Sequence, residues 1–287
     1  FSSFLAVVGP SGSGKSSVVK AGLIPSLRKG AMHGSENWFY VEMTPKAHPM
    51  AELEQALMKV STKQDVSLGQ TLRAEDGYGL FRALDIALPD EKTELVIVID
   101  QFEELYTLTE DEAEREQFLR VLVKAVGEAL SRVWLVITLR ADFVDRPLQH
   151  QEFGNLITER IEFVLPMSAK ELEQSIVGPA NRVGLKIEGS LIAVIVSDVN
   201  KQPGALPLLQ YALTELYNNR RGVTLTMDAY RAMGGISGAL ARRADELYVQ
   251  MKNESKQAAR QLFLRLITIN EGSEATRRRA MQSELTS

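Results

Sequence analysis

The stretch GPSGSGKS occupies residues 9–16 and matches the pattern G-x-x-x-x-G-K-[ST] at every fixed position. It follows an apolar run, Leu5 to Val8, that is typical of a buried strand, and it precedes helical spacing from Ser16 to Leu27. Its glycines allow successive backbone N–H groups to point at phosphates, and a following helix adds its positive N-terminal end. A chance turn of Gly and Ser would match the residue types but would not explain the strand and the helix beside it. The stretch therefore predicts a phosphate-binding loop.

The same loop predicts how individual residues would hold Mg-ATP. Lys15 is expected to reach the terminal phosphates as a positive charge, and the Ser16 hydroxyl is expected to coordinate magnesium. The residues predicted to bind the nucleotide at this loop are Gly9, Pro10, Ser11, Gly12, Ser13, Gly14, Lys15, Ser16 and Ser17.

Strands and helices alternate through the first half of the chain. Further buried strands are predicted at Trp38 to Met43, Leu95 to Ile99, Val133 to Leu139 and Ile161 to Leu165. Stretches long enough for crossover helices lie around Met50 to Val60, Tyr78 to Leu88 and Asp111 to Leu130. This alternation predicts an α/β fold, a P-loop NTPase with a doubly wound parallel sheet.

Helical periodicity replaces the alternation after Pro166. Helices are predicted at Ala169 to Val177, Leu191 to Val199, Leu206 to Tyr217, Met227 to Met233, Gly238 to Met251 and Lys256 to Ile267. We therefore predict a P-loop NTPase core at residues 1–166 and a helical domain that begins at residue 167.

Carboxylates follow the apolar run Leu95 to Ile99. Asp100 ends this run, at the position from which such folds hold magnesium opposite the loop Ser, so Asp100 is the expected partner of Ser16. Glu103 and Glu104 come on the turn that follows, and one of them could orient or deprotonate the attacking water. The alternative is that this acidic pair caps the N-terminus of a helix.

Arg140 follows another apolar run, Val133 to Leu139, and is therefore expected at the edge of the sheet where ligands bind. From there it could contact the γ-phosphate, because its strand is predicted to neighbour the strand that ends at Asp100. The alternative is an ordinary ion pair with Asp142 or Asp145.

Charge and composition argue against several classes of function. The chain has 33 Lys and Arg against 37 Asp and Glu, a formal net charge of -4 spread without blocks, so we do not expect nucleic acid or membranes as partners. It has no cysteine, and its three histidines lack the spacing of metal ligands. No apolar stretch reaches the roughly 20 residues of a membrane span, and a cytoplasmic location is expected.

The motifs together resemble the STAND class of P-loop NTPases, and most closely the group called novel STAND NTPases, which in bacteria are often fused to WD-repeat sensors. The resemblance covers nearly the whole chain. The segments that carry it are residues 9–17, Ala21 to Pro25, Val98 to Leu105, Ile137 to Arg140, Gln202 to Leu209 and Thr276 to Arg279. It implies an AAA+-like ATPase module for signal transduction, with ATP or ADP and Mg²⁺ as cofactors.

The resemblance also implies roles for further residues. Asp100 to Glu104 is similar to the family's extended Walker B, and Gln101 stands where AAA+ and ABC ATPases usually have a catalytic Glu. Gly204 to Pro207 is similar to the G-x-x-P signature, whose Pro packs against adenine in the ADP-bound form, so Pro207 is expected at the nucleotide. A helix N-terminus with Pro near its start fits the same residues. Residues 254–287 resemble the start of a winged-helix domain, which would end the helical domain at residue 253.

The chain also departs from the family pattern. The segment that usually precedes the first strand and helps to hold the base is missing, and neither an effector nor a sensor domain is present. The sequence also has no initiator Met, and its last residues stop inside an unfinished pattern. We therefore interpret the sequence as part of a longer signalling protein. Its expected partners are the nucleotide, the sensor and effector domains of the same chain and, with ATP, further copies of itself.

Three functions are compatible with these motifs. The first is a regulatory ATPase that is closed with ADP, open with ATP and slow to hydrolyse. The second is an ABC-type transport ATPase, because GPSGSGKSS opens many ABC cassettes, but the chain has no Leu-Ser-Gly-Gly-Gln run. The third is a small-molecule kinase, which would need a basic lid, and only Arg220-Arg221 and Arg242-Arg243 are candidates for one. We expect the first.

Overall fold

The computed structural model describes residues 3–61, 67–127, 131–200, 204, 206–268 and 276–277. The chain divides into two compact units, Phe1–Ser168 and Ala169–Ser287, and each has its own hydrophobic core. In the part of the chain that the structure describes, none of the helices has both the length and the apolar character needed to cross a bilayer.

A five-stranded parallel sheet forms the centre of the first unit, with the strand order β2-β3-β4-β1-β5. The strands are β1 (Phe4–Gly9), β2 (Phe39–Met43), β3 (Leu95–Ile99), β4 (Val133–Arg140) and β5 (Ile161–Phe163). Every predicted strand is present, so the predicted doubly wound parallel sheet is confirmed. The last strand ends at Phe163 rather than Leu165, because Leu165 is exposed and Pro166 has no N–H group to extend the ladder.

The strands are apolar because helices cover both faces of the sheet. Every residue of β3 is buried. In β1, Ala6 and Val8 belong to the larger hydrophobic cluster, whereas Val7 packs on the opposite face with Val19. Successive side chains of a strand point to opposite faces, and in this sheet each direction meets a layer of helices.

The helices of the first unit include all of the predicted crossover helices. They are α1 (Lys15–Ser17), α2 (Ile24–Leu27), α3 (Pro49–Met58), α4 (Leu68–Leu72), α5 (Gly79–Ala87), α6 (Glu104–Thr107), α7 (Glu112–Gly127), α8 (Asp145–Leu148) and α9 (Gln151–Glu159), with short 3₁₀ turns at Ser35–Asn37 and Ala141–Phe143. Helices α3, α5 and α7 confirm the predicted crossovers, although residues 128–130 of the last prediction lie outside the described residues. The short helices α4, α8 and α9 were not predicted. Helix α6 was considered only in the alternative for the acidic pair, and the structure does place Glu103 and Glu104 at its N-terminus, although without a side-chain capping hydrogen bond.

The helix after the loop is continuous but irregular. Between α1 and α2, the backbone of Val18–Leu23 forms a π-helical segment. Such wider turns inside helices are found frequently at functional sites. This segment carries Lys20, whose ammonium forms an ion pair with Asp100 at the end of β3.

The carboxyl ends of β1, β3 and β4 lie side by side at one edge of the sheet. Gly9 is in register with Arg140, and Ile99 is in register with Ile137. The prediction that the strand before Arg140 neighbours the strand before Asp100 is therefore confirmed. In open α/β sheets, ligands bind at this edge.

The second unit is mainly helical, as predicted. Its helices are α10 (Ala169–Arg182), α11 (Gly189–Asn200), α12 (Leu206–Asn218), α13 (Met227–Ala232), α14 (Gly235–Gln250) and α15 (Asn253–Leu266). Two short strand pairs accompany them, β6 (Lys186–Ile187) with β7 (Thr224–Leu225), and β8 (Ile267–Thr268) with β9 (Thr276–Arg277). Most of residues 269–287 lies outside the described residues, so the predicted winged helix stays a prediction. The predicted domain limits at residues 166 and 253 also stay predictions.

Candidate nucleotide-binding site

The glycines of the loop between β1 and α1 are required by its backbone. Gly12 and Gly14 have φ values of 73° and 93°, in the left-handed region that other residues rarely adopt. A Cβ atom at Gly9 would lie 2.8 Å from the Ser13 Oγ and 3.2 Å from the Val164 carbonyl oxygen. The loop therefore closes tightly at Gly9 and turns sharply at Gly12 and Gly14, as a loop that wraps phosphates must.

Lys15 is the first residue of α1 and lies under the loop. Its side chain is buried, and its Nζ donates a hydrogen bond to the Pro10 carbonyl oxygen at 2.8 Å. Burial lowers the pKa of the Lys15 ammonium, and the carboxylates of Glu103 and Asp100 oppose that shift. A buried ammonium beneath a loop is placed to offer its charge to phosphate oxygens.

Ser13 has a polar atom that fits a phosphate ligand. Its Oγ is buried and has no hydrogen-bond partner among the described residues. A buried hydroxyl without a partner is unusual in a folded protein and often marks a ligand site. By contrast, Pro10, Ser11 and Ser17 are exposed on the outside of the loop and the helix.

Asp100 is the centre of a hydrogen-bond cluster at the end of β3. Its Oδ1 accepts hydrogen bonds from the Ser16 hydroxyl at 2.7 Å, the Thr138 hydroxyl at 2.5 Å and the Gln101 N–H at 3.1 Å. Its Oδ2 forms an ion pair with the Lys20 Nζ at 2.8 Å. The structure thus brings together Ser16 and Asp100, the two residues predicted to hold magnesium.

The ionised form of Asp100 is stabilised by these contacts. Burial alone would raise the pKa of the Asp100 carboxyl, but hydrogen bonds from Lys20, Thr138 and Ser16 outweigh it and hold the pKa below its usual value. A carboxylate is therefore present at neutral pH, as a magnesium ligand must be.

These residues fit a magnesium ion bound with a nucleotide. Among the described residues, no group of three or more His, Cys, Asp or Glu side chains could hold a metal ion without further ligands. Magnesium in nucleotide sites takes only one or two protein ligands and completes its octahedron with phosphate oxygens and water. Ser16 and Asp100 would supply those two ligands.

Thr138 was not predicted as a site residue. It lies in β4, is 1% exposed, and its hydroxyl both donates to Asp100 and accepts from the Gln101 N–H at 2.9 Å. The sequence did contain an indication of this role, because Thr138 is the one polar residue within the apolar run Val133 to Leu139. A hydroxyl inside a buried strand needs partners, and the end of the neighbouring β3 provides them.

We expect Thr138→Val to destabilise the protein by about 2 kcal/mol, because it leaves buried polar groups of Asp100 and Gln101 with fewer partners. Urea unfolding of the purified chain measures this change in the free energy of unfolding. Thr138→Ser is the matched control: it keeps the hydroxyl, loses one methyl group, and should cost only about 1 kcal/mol. A Ser variant less stable than the Val variant would show that packing, not hydrogen bonding, determines the residue.

Glu103 and Glu104 face different partners. The Glu103 carboxylate is half-buried, accepts a hydrogen bond from the Arg140 N–H at 3.3 Å and interacts with the charge of Lys15. The Glu104 carboxylate instead accepts from the Lys46 N–H at 3.3 Å. Burial raises the pKa of Glu103, and the nearby Arg140 N–H and the charge of Lys15 act against this. Of the two acids, Glu103 is the one near the phosphate loop.

Arg140 ends β4 beside the first residue of the loop. Its guanidinium forms two hydrogen bonds with the Asp142 carboxylate, at 3.0 and 2.6 Å, and lies 5.4 Å from the centre of the Phe143 ring. The ion pair with Asp142 was the alternative considered from the sequence, and it is present. The predicted contact with a γ-phosphate stays a prediction.

Pro207 lies in the second unit, as the second residue of α12, and its side chain is exposed. A proline near the start of a helix is favourable because its fixed φ suits the first turn. Its role at adenine stays a prediction from the family resemblance.

A comparison with protein families matches residues 2–287 to the family described as Novel STAND NTPase 1. A comparison with curated proteins found no match.

Solved structures of low sequence identity share the fold. The Aeropyrum pernix ORC1 protein, solved in complex with DNA, has a TM-score of 0.58 and 16% identity, with 98% of this chain and 69% of that chain covered. The Aeropyrum pernix ORC2 protein, solved as ADPNP-ADP complexes, has a TM-score of 0.51 and 14% identity over 90% of this chain and 65% of that chain. Drosophila ORC bound to DNA has a TM-score of 0.53 and 15% identity over 89% of this chain and 60% of that chain. At these identities the likeness concerns the fold alone.

The family match agrees with the resemblance inferred from the motifs, and it spans both units of the structure. In the first unit, Lys15, Ser16 and Asp100 lie together at the carboxyl edge of the sheet. The chain belongs to the Novel STAND NTPase 1 family.

Proposed function

We propose that the chain is the ATP-binding and slowly hydrolysing regulatory module of a larger cytoplasmic signalling protein, closed with ADP and open with ATP. The observation that supports this best is the hydrogen bond of the Ser16 hydroxyl to Asp100, at 2.7 Å, beside the buried Lys15. It joins the phosphate loop to the carboxylate that would hold the metal.

Nucleotide binding would use charge and backbone together. The loop N–H groups and the Lys15 ammonium would contact the phosphates, and Ser13 would donate its unpartnered hydroxyl to them. Ser16 and Asp100 would hold Mg²⁺, which when bound neutralises charge on the phosphate oxygens.

Hydrolysis would depend on Glu103. In this proposal its carboxylate orients the attacking water and accepts a proton from it, and the raised pKa improves its match to a base that works near neutral pH. Glu104 would act as a positioning residue, because its hydrogen bond to the Lys46 N–H fixes the turn that carries Glu103. Gln101 carries a neutral amide, which does not accept a proton from water, and would not replace Glu103 as a base.

Arg140 would link the nucleotide state to the conformation. Its two hydrogen bonds to Asp142 use the same donor geometry that an arginine offers to phosphate oxygens. A γ-phosphate within reach would compete with Asp142 for the guanidinium, whereas ADP would leave the pair intact. We propose that this exchange distinguishes the two nucleotide states.

We expect the purified chain to hydrolyse ATP more slowly than about one per second, at the low end of enzyme turnover, and to keep ADP bound as a monomer. The reason is that Asp100 is not followed by an acid, so water activation depends on Glu103 on a turn. Phosphate release across a range of protein concentrations, with mass spectrometry of any co-purified nucleotide, measures both properties. Fast turnover that is independent of concentration would favour an ordinary enzyme over a switch.

DNA is the partner that the structural comparison raises, since two of the similar proteins were solved with DNA. The formal charge of -4 on this chain gives no general attraction to DNA phosphates. We therefore propose nucleotide, rather than DNA, as the ligand of this module. Fluorescence anisotropy with labelled duplex DNA at low salt, with and without ATP, tests this choice.

A further inference from the structure

Lys20 connects the expected metal site to the outer strand of the sheet. Its Nζ lies 2.8 Å from the Asp100 Oδ2 and also forms an ion pair with Glu42 on β2. Ser16 and Lys20 are four residues apart, one helical turn, so both side chains leave the helix towards the end of β3. Neither the loop motif nor the acidic motif includes Lys20.

The two oxygens of Asp100 have different kinds of partners. Oδ1 accepts hydrogen bonds from three neutral donors, the Ser16 and Thr138 hydroxyls and the Gln101 N–H. Oδ2 contacts the positive charge of Lys20. In this arrangement the Lys20 ammonium balances the negative charge of Asp100, the carboxylate that would hold magnesium.

An ammonium and a divalent ion at one carboxylate repel each other. Magnesium bound between Ser16 and Asp100 would therefore weaken the contact of Lys20 with Asp100. The structure offers Lys20 another position, because Glu42 already contacts it and the Glu42 side chain is 52% exposed.

The space beside Lys20 allows such a movement. A cleft of about 210 Å³ opens next to it, and Lys20, Glu42, Val41, Ile24 and Val98 are among the residues that line it. The Lys20 side chain is 38% exposed, so it is not locked in place by packing.

We propose that Lys20 is an internal counter-ion of Asp100 that magnesium displaces towards Glu42. This inference rests on the proposed function, in which Asp100 holds the metal. Without metal, Lys20 neutralises the buried Asp100 and keeps its Oδ1 directed at Ser16. With magnesium bound, the Lys20 ammonium pairs with Glu42 alone. The concentration of magnesium needed for tight nucleotide binding therefore depends on how strongly Lys20 pairs with Asp100 relative to Glu42.

The test measures the affinity for a fluorescent ADP analogue as the magnesium concentration is raised. The quantity compared is the midpoint, the magnesium concentration at which half of the maximal gain in affinity is reached. Lys20→Met removes the competing cation and should lower this concentration about fivefold, the effect of one repulsive charge near a partly exposed site. Glu42→Gln leaves Lys20 held by Asp100 alone and should raise it. Lys29→Met, which removes an exposed Lys outside the cluster, is the matched control and should leave it unchanged.

The two variants have opposite expected signs, which a general loss of stability would not produce. A magnesium midpoint that is unchanged or higher in Lys20→Met overturns the proposal. If Lys20→Met does not fold, a magnesium midpoint that is unchanged or lower in Glu42→Gln overturns it. Asp100→Asn in the parent chain distinguishes a failure of the counter-ion proposal from a failure of the proposed function. If Asp100→Asn leaves the magnesium dependence intact, the metal assignment itself is wrong and both proposals fall; if it removes the dependence while the Lys20 and Glu42 variants behave as the parent, only the counter-ion is wrong.

Discussion

Lys15→Ala should weaken ATP and ADP binding about 100-fold, because a charge-assisted contact with phosphate contributes up to about 3 kcal/mol when it is made in a buried site. The Lys15 side chain lies beneath the loop and is 8% exposed, so water and salt screen its charge less than that of a surface Lys. The fold should survive, because the only hydrogen bond described for its Nζ is to the Pro10 carbonyl oxygen of the same loop. Isothermal titration calorimetry of the parent and the variant gives the affinities directly.

Two measurements make this result specific. Lys29→Ala removes an exposed Lys from the same region of the chain and should bind nucleotide like the parent. Thermal melting without nucleotide should place Lys15→Ala within a few degrees of the parent, while the melting shift produced by ATP should nearly vanish. If Lys15→Ala binds nucleotide like the parent, the loop at residues 9–16 is not the nucleotide site.

Features encoded by neighbouring residues could be predicted from the sequence. The loop is a contiguous pattern between a strand and a helix, and its backbone has the left-handed glycines that the pattern implies. The buried strands were recognisable because a sheet covered on both faces requires apolar residues at every position, as in β3. The strand order then brought Arg140 and Asp100 to one edge, as expected.

Features that depend on distant contacts could not be predicted in this way. Lys20 and Asp100 are eighty positions apart, and nothing in the spacing of either motif indicates their ion pair. Helices α8 and α9 were missed because the sequence around them, with Pro147 inside α8 and His150 just before α9, lacks a long apolar period. Their position is stabilised instead by contacts with the core, such as the fully buried Phe153.

The choice between Glu103 and Glu104 also depended on tertiary structure. Gln101 has a φ of 54°, which turns the chain sharply after β3, and its N–H is held by Asp100 and Thr138. Phe102 is completely buried and stacks on Phe153, with the ring centres 5.2 Å apart. This buried ring fixes the turn, and as a result Glu103 faces the Arg140 backbone while Glu104 faces Lys46.

Glu103→Gln should slow single-turnover hydrolysis of ATP roughly 100- to 1000-fold, the contribution typical of a positioned general base, with little change in ATP affinity. The amide keeps the size of the side chain but cannot accept a proton. Removing the charge should not destabilise the protein, since burial raises the pKa of Glu103 and so disfavours its ionised form. Rapid-quench measurements with excess protein separate the chemical step from nucleotide binding.

Glu104→Gln is the matched control, one residue away and with the same chemical change, and it should lower the rate only slightly. The pH dependence gives an independent check. The pKa of Glu103 is raised, so Glu103 takes up a proton at a higher pH than an exposed Glu, whose usual pKa is about 4.3. As the pH is lowered, the hydrolysis rate of the parent should therefore begin to fall above the pH at which an exposed Glu titrates. That acidic decline should be absent from the residual activity of Glu103→Gln. If Glu104→Gln instead produces the large loss, the attacking water lies on the Lys46 side of the turn, and the base is Glu104.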